Sequence, residues 1–110
     1  MAEQRGQERK RKRLKVRFGI DEVKRMAFTG DTSLEGLFLI TGQPEAPGCR
    51  VRLEIHLPDQ TRVLAEGQVR WAKKVPPNLV RLANKAGMGV RFLRFEQGRQ
   101  DYLDYISGLR

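Results

Sequence analysis

Residues 14–20, Leu14-Lys15-Val16-Arg17-Phe18-Gly19-Ile20, set an apolar side chain at every second position with a cation or glycine between. Successive side chains on a pleated strand point to opposite sides, so this period of two predicts a strand with one buried face. The same period returns at Val51, Leu53, Ile55 and Leu57, separated by Arg52, Glu54 and His56, and again through residues 61–73 as far as Trp71. Between these runs Asp21-Glu22 turns the chain, and Met26-Ala27-Phe28 leads up to Gly30. Leu37 to Thr41 reads as a short apolar strand ended by Gly42-Gln43-Pro44-Glu45-Ala46-Pro47-Gly48. Pro58-Asp59-Gln60 supplies a further turn, Pro76-Pro77 interrupts the pattern, and a last strand is expected from Val90 to Phe95.

After that strand the period lengthens. Tyr102, Leu103, Ile106 and Leu109 recur at steps of three and four, which predicts a helix from about Glu96 to Ser107, stopped at Gly108. Tyr102 and Tyr105 are assigned to packing. Five to seven strands followed by one helix predict a mainly β fold: a small antiparallel β-barrel, six-stranded for preference, with a C-terminal α-helix. Closure is favoured because it removes exposed sheet edges in so short a chain. No internal repeat occurs, and no low-complexity segment beyond a basic arm.

A chain of 110 residues suits one domain with one modest core. Residues 1–17 hold eight Lys or Arg against two Glu, whereas residues 18–110 hold fourteen against eleven, so most of the net charge of +9 lies in the arm. The expected division is a basic, flexible arm over residues 1–13 and a barrel with its helix over residues 14–110. A cationic tail on a nearly balanced body points to a polyanionic partner. The first apolar cluster begins at Leu14 and is broken by Lys15 and Arg17, so neither a signal-peptide core nor a membrane span is expected, and the protein is placed in the cytoplasm. One cysteine, Cys49, and one histidine, His56, fall short of a disulfide or a usual metal site.

No catalytic site is read. Asp31, Ser33 and His56 are the residue types of a hydrolase triad, but no G-x-S-x-G elbow surrounds Ser33, and His56 is expected exposed on the polar face of its strand. Trp71 ends an alternating strand; core packing is favoured, with stacking on a base as the alternative.

Two further segments carry chemistry. Arg9 and Arg13 stand four residues apart, and Asp31-Thr32-Ser33-Leu34-Glu35-Gly36 follows. By itself Asp31-Thr32-Ser33 after Gly30 is an ordinary turn, in which Asx and hydroxyl side chains bond their own backbone. Taken with Gly67-Gln68-Val69-Arg70-Trp71 and Gly87-Met88-Gly89-Val90-Arg91-Phe92, however, the segments resemble the PilZ domain family. Its ligand signature is written RxxxR and [D/N]xSxxG, and its strands usually read G-x-V-x-W and G-x-G-V-x-F. The resemblance runs from Glu8 to the end of the chain. It departs at Glu35, where a second glycine is common, and in the spacing, with only 17 residues between Arg13 and Asp31, which implies a tight first hairpin.

The resemblance implies a receptor for cyclic di-GMP, and the residue types fit that ligand. A guanidinium can grip the O6 and N7 acceptors of a guanine with two parallel hydrogen bonds while its neighbour holds a phosphate. Asp31 would accept from guanine N–H groups, Ser33 would meet a phosphate or base, and Gly36 would let backbone approach closely. The expected binding residues are therefore Arg9, Arg13, Asp31, Ser33, Gly36 and Trp71. Arg13 and Arg17 also stand four apart, but Arg17 falls inside the strand alternation, which favours Arg9 and Arg13. The leading function is a non-catalytic second-messenger receptor, with no cofactor, that signals to an unidentified effector protein. The alternatives are a PilZ-like adaptor that binds protein without the nucleotide, and a basic nucleic-acid-binding module. The third is disfavoured because no strand interleaves exposed aromatics as single-strand readers do.

Overall fold

A computed structural model describes residues 13–75 and 86–108. Arg9 with the rest of residues 1–12, Pro76-Pro77, and Leu109 lie outside the described residues. Six strands, β1 Lys15–Gly19, β2 Arg25–Thr32, β3 Gly36–Ile40, β4 Arg50–His56, β5 Arg62–Lys73 and β6 Gly87–Gln97, precede one helix, α1 Arg99–Ile106. The strands close in the order β1-β2-β3-β6-β5-β4, every pair antiparallel. The barrel with a C-terminal helix is thus the expected one.

Alternation fills the interior. Val16 and Phe18 from β1, Leu39 from β3, Val51, Leu53 and Ile55 from β4, Val63 and Val69 from β5 and Met88 from β6 are almost fully buried. Tyr102, Tyr105 and Ile106 bring α1 into the same core, as their packing assignment required. Tyr102 meets Phe92 edge-on at 5.1 Å between ring centroids and Phe95 at 5.7 Å. The short loop after Ile40 is held by Arg25, whose guanidinium bonds Glu45 at 3.0 Å and the Gln43 carbonyl at 2.6 Å.

Several boundaries shift. The chain turns directly after Gly19, so tightly that a Cβ on that residue would collide with the Glu22 carbonyl oxygen, and Ile20 is left exposed instead of joining the core. Strand β6 continues to Gln97, and α1 begins at Arg99 instead of about Glu96. Between them Gly98 takes a left-handed conformation, φ 79°, that glycine adopts without steric cost. The fourth strand holds Glu54 buried and His56 partly covered: His56 Nε2 lies 3.0 Å from Glu54 Oε2, and Arg62 reaches the same oxygen at 3.5 Å. His56 is therefore half-buried beside a carboxylate, not the freely exposed residue expected from its strand face.

Candidate functional site

Strand β2 does not stop at Gly30. It runs through Asp31 and Thr32, because the pairing to β3 slips by one residue between Thr29 and Asp31 and Gly30 fills the bulge. The slip sets Asp31 opposite Phe38, partly buried on the outer face of the barrel. The turn proper is residues 33–35. There Ser33 N donates to the Gly36 carbonyl at 2.9 Å, Ser33 Oγ lies 3.3 Å from the same oxygen, and Glu35 N points at Ser33 Oγ at 3.4 Å. Ser33 is 6 % exposed, so its hydroxyl serves its own turn in this structure.

Gly36 is required by backbone. A Cβ on it would collide with the Val90 carbonyl oxygen and sit 3.1 Å from Arg91 Cα, so β3 and β6 can approach as they do only with glycine there. The turn is pinned from behind by the helix. Tyr102, fully buried, donates its hydroxyl to the Ser33 carbonyl at 2.7 Å. Burial pushes that phenol well above its usual range, so it stays neutral and remains a donor. Tyr102→Phe leaves the Ser33 carbonyl without this donor, and the expected loss is about 1–3 kcal/mol, read as a lowered midpoint in chemical denaturation.

In front of this turn lies a cleft of about 420 Å³ lined by Asp31, Ser33, Glu35, Phe38, Arg70, Trp71 and Arg91 with intervening backbone. Its floor is aromatic. Trp71 stacks on Phe38, centroids 5.2 Å apart and planes 14° from parallel, and both rings lie down over glycines: Trp71 over Gly89, Phe38 over Gly30 and Gly87. Trp71 is 48 % exposed, which corrects the preference for core packing. The cause is a second bulge. Val63, Ala65, Gly67 and Val69 face inward, and strict alternation would carry Trp71 in with them, but the pairing slips between Val69 and Trp71, leaving Arg70 as the extra residue and setting Trp71 opposite outward-facing Gly89.

The cleft's cations were missed from sequence. Arg70 and Arg91 are exposed, and none of the ion pairs among the described residues uses either. A signal was present: each arginine directly follows an inward valine and precedes an aromatic, in Val69-Arg70-Trp71 and Val90-Arg91-Phe92. Arg13 directly precedes the sheet. Leu14 N donates to Thr29 Oγ1 at 2.9 Å and Thr29 N to the Leu14 carbonyl at 3.0 Å, so Arg13 leaves the sheet beside Gly30, next to Asp31. The structure thus brings Asp31, Ser33, Gly36 and Trp71 to one cleft; Arg13 is not among its lining residues, and Arg9 lies outside the described residues. No group of three or more metal-ligating side chains occurs among the described residues.

An aromatic floor between arginines and a carboxylate thus lies on the wall of a closed barrel. The PilZ domain family model matches residues 3–108, and the chain belongs to the PilZ domain family. Domains of this family are receptors and adaptors, and the chain is not an enzyme. Among solved structures it is similar to the Bacillus subtilis inhibitor of motility, MotI/DgrA, at 21% identity with a TM-score of 0.74 over 97% of this chain. The chain spans about half of that one, 51%. No curated protein matches the chain. Among the described residues no helix is long and apolar enough to cross a membrane.

Proposed function

We propose that the chain is a cytoplasmic, non-catalytic receptor that binds cyclic di-GMP in the cleft beside residues 31–36 and passes the message to an effector protein. The observation that carries this reading is the meeting, in one cleft, of Asp31, two arginines free of ion pairs with described residues and a half-exposed stacked indole. A guanine needs that set: a face to stack on, acceptors gripped by guanidinium, and N–H groups received by a carboxylate. Arg13, and Arg9 beyond it, would close over the ligand from the arm. One observation favours the adaptor reading, namely that the Ser33 hydroxyl is turned into its own loop while Glu35 adds a negative charge at the cleft.

Calorimetric titration with cyclic di-GMP, with GTP and a duplex oligonucleotide as controls, separates the readings. Heat with the cyclic dinucleotide alone supports the receptor; no heat with any of them leaves the adaptor; heat with the duplex supports a nucleic-acid module. Asp31→Ala then separates base recognition from charge. Removing an anion from a basic site should strengthen or spare a ligand held only through phosphates, whereas loss of a guanine contact weakens it. We expect weakening, with Ser33→Ala weaker by about 1 kcal/mol or less. An Asp31→Ala protein that binds like the wild type removes Asp31 from the site.

A further inference from the structure

A second surface adjoins the cleft. Pairing registers set Lys15, Phe28, Ile40, Gly87 and Lys73 side by side across β1, β2, β3, β6 and β5, so an apolar row runs between two lysines. Met26 and Arg17 extend it on one side as the next outward pair of β2 and β1. Phe28 is 43% and Met26 54% exposed, where solvated barrel positions ordinarily carry polar side chains. No acid occupies the row, and no ion pair among the described residues uses Lys15, Arg17 or Lys73.

We infer that this face docks an acidic, amphipathic helix of a partner protein; the inference rests on the reading that the chain signals to another protein. Charge and the limited exposure of the apolar side chains select that occupant. A second copy of the chain meeting the row about a two-fold axis would set Lys15 and Arg17 against their own like. An anionic bilayer offers the right charge, but apolar side chains must reach roughly 5–10 Å into it. Here Phe28 and Met26 are only about half exposed, and Ile40 is partly buried. An apolar row between cationic rims suits a helix that lays its apolar face down and turns carboxylates to either side. From β2 to β5 is three strand spacings, roughly 14 Å, which about ten helical residues cover.

The probe is a labelled synthetic peptide of about 18 residues, leucine and phenylalanine on one helical face and glutamate on the other. Fluorescence anisotropy is expected to show binding to the wild type. Lys15→Glu/Arg17→Glu should weaken it about tenfold or more, and Phe28→Ser similarly. Amide shifts on adding peptide should fall on β2 and β3. Both variants lie outside the cleft, so cyclic di-GMP heat measured on the same samples should be unchanged; a loss of that heat in the wild type sinks the receptor reading without touching this one. Equal peptide binding by wild type and variants overturns the inference. So does binding of the wild type to phosphatidylglycerol vesicles but not to peptide, or a concentration-dependent dimer abolished by Phe28→Ser.

Discussion

Arg13→Ala is expected to weaken cyclic di-GMP binding by about 2–4 kcal/mol, roughly 30- to 800-fold, the loss of one charge-assisted bidentate contact. Arg9→Ala is expected to act alike. The control is Arg17→Ala. Arg17 stands on the outer face of β1 with Met26 on one side and Glu54 on the other, away from the cleft lining, so its removal should change affinity less than about threefold, the small effect of a remote surface charge. Calorimetry on the three variants decides the register of the arginine pair. A large loss with Arg17→Ala and none with Arg9→Ala would shift the pair to Arg13 and Arg17.

The second large effect is on the fold itself. Gly36→Val drives a branched side chain into the Val90 carbonyl and toward Arg91 Cα, and both obstacles are backbone. Overpacking against atoms that cannot rotate away is expected to cost about 3 kcal/mol or more. For a domain of this size that is a fall in melting temperature of about 12–24 °C or failure to fold. Thermal unfolding checks it, and a variant melting with the wild type would mean that β3 and β6 do not approach as described. The result also bears on Gly36 as a binding residue: its loss would abolish binding through the loop's position, with no contact to ligand required.

The fold was legible wherever alternation ran unbroken. Leu14-Val16-Phe18 and Val51-Leu53-Ile55 read as inward faces, and they are. Several of the misreadings share one physical cause, the β-bulge. An inserted residue reverses the parity of everything after it, so Gly30 hid the continuation of β2 to Thr32, and Arg70 turned Trp71 from inside to outside. Slips beside Leu93 and Glu96 likewise blurred the end of β6 against the start of α1. Half of the candidate site was legible for a different reason: Asp31, Ser33 and Gly36 are close in sequence and therefore travel together. Arg70, Arg91 and Phe38 reach the cleft from three strands, and only pairing registers bring them there.

Gly36 and Gly89 look equivalent in the sequence, yet mutational history would treat them differently. The obstacle at Gly36 is main chain, which every variant of the protein retains. At Gly89 it is the Trp71 indole, a side chain that a single codon change removes. Gly89→Val should therefore be damaging alone and mild in a Trp71→Ala background, with a coupling of about 0.5–3 kcal/mol between the two positions in a double-mutant cycle. Order of substitution then matters: a lineage that first gives up the indole gains freedom at position 89, whereas one that keeps it is confined to glycine there. Glycine 89 and tryptophan 71 should accordingly be inherited as a pair, lost together in branches that no longer stack anything on this face, while Gly36 persists in both.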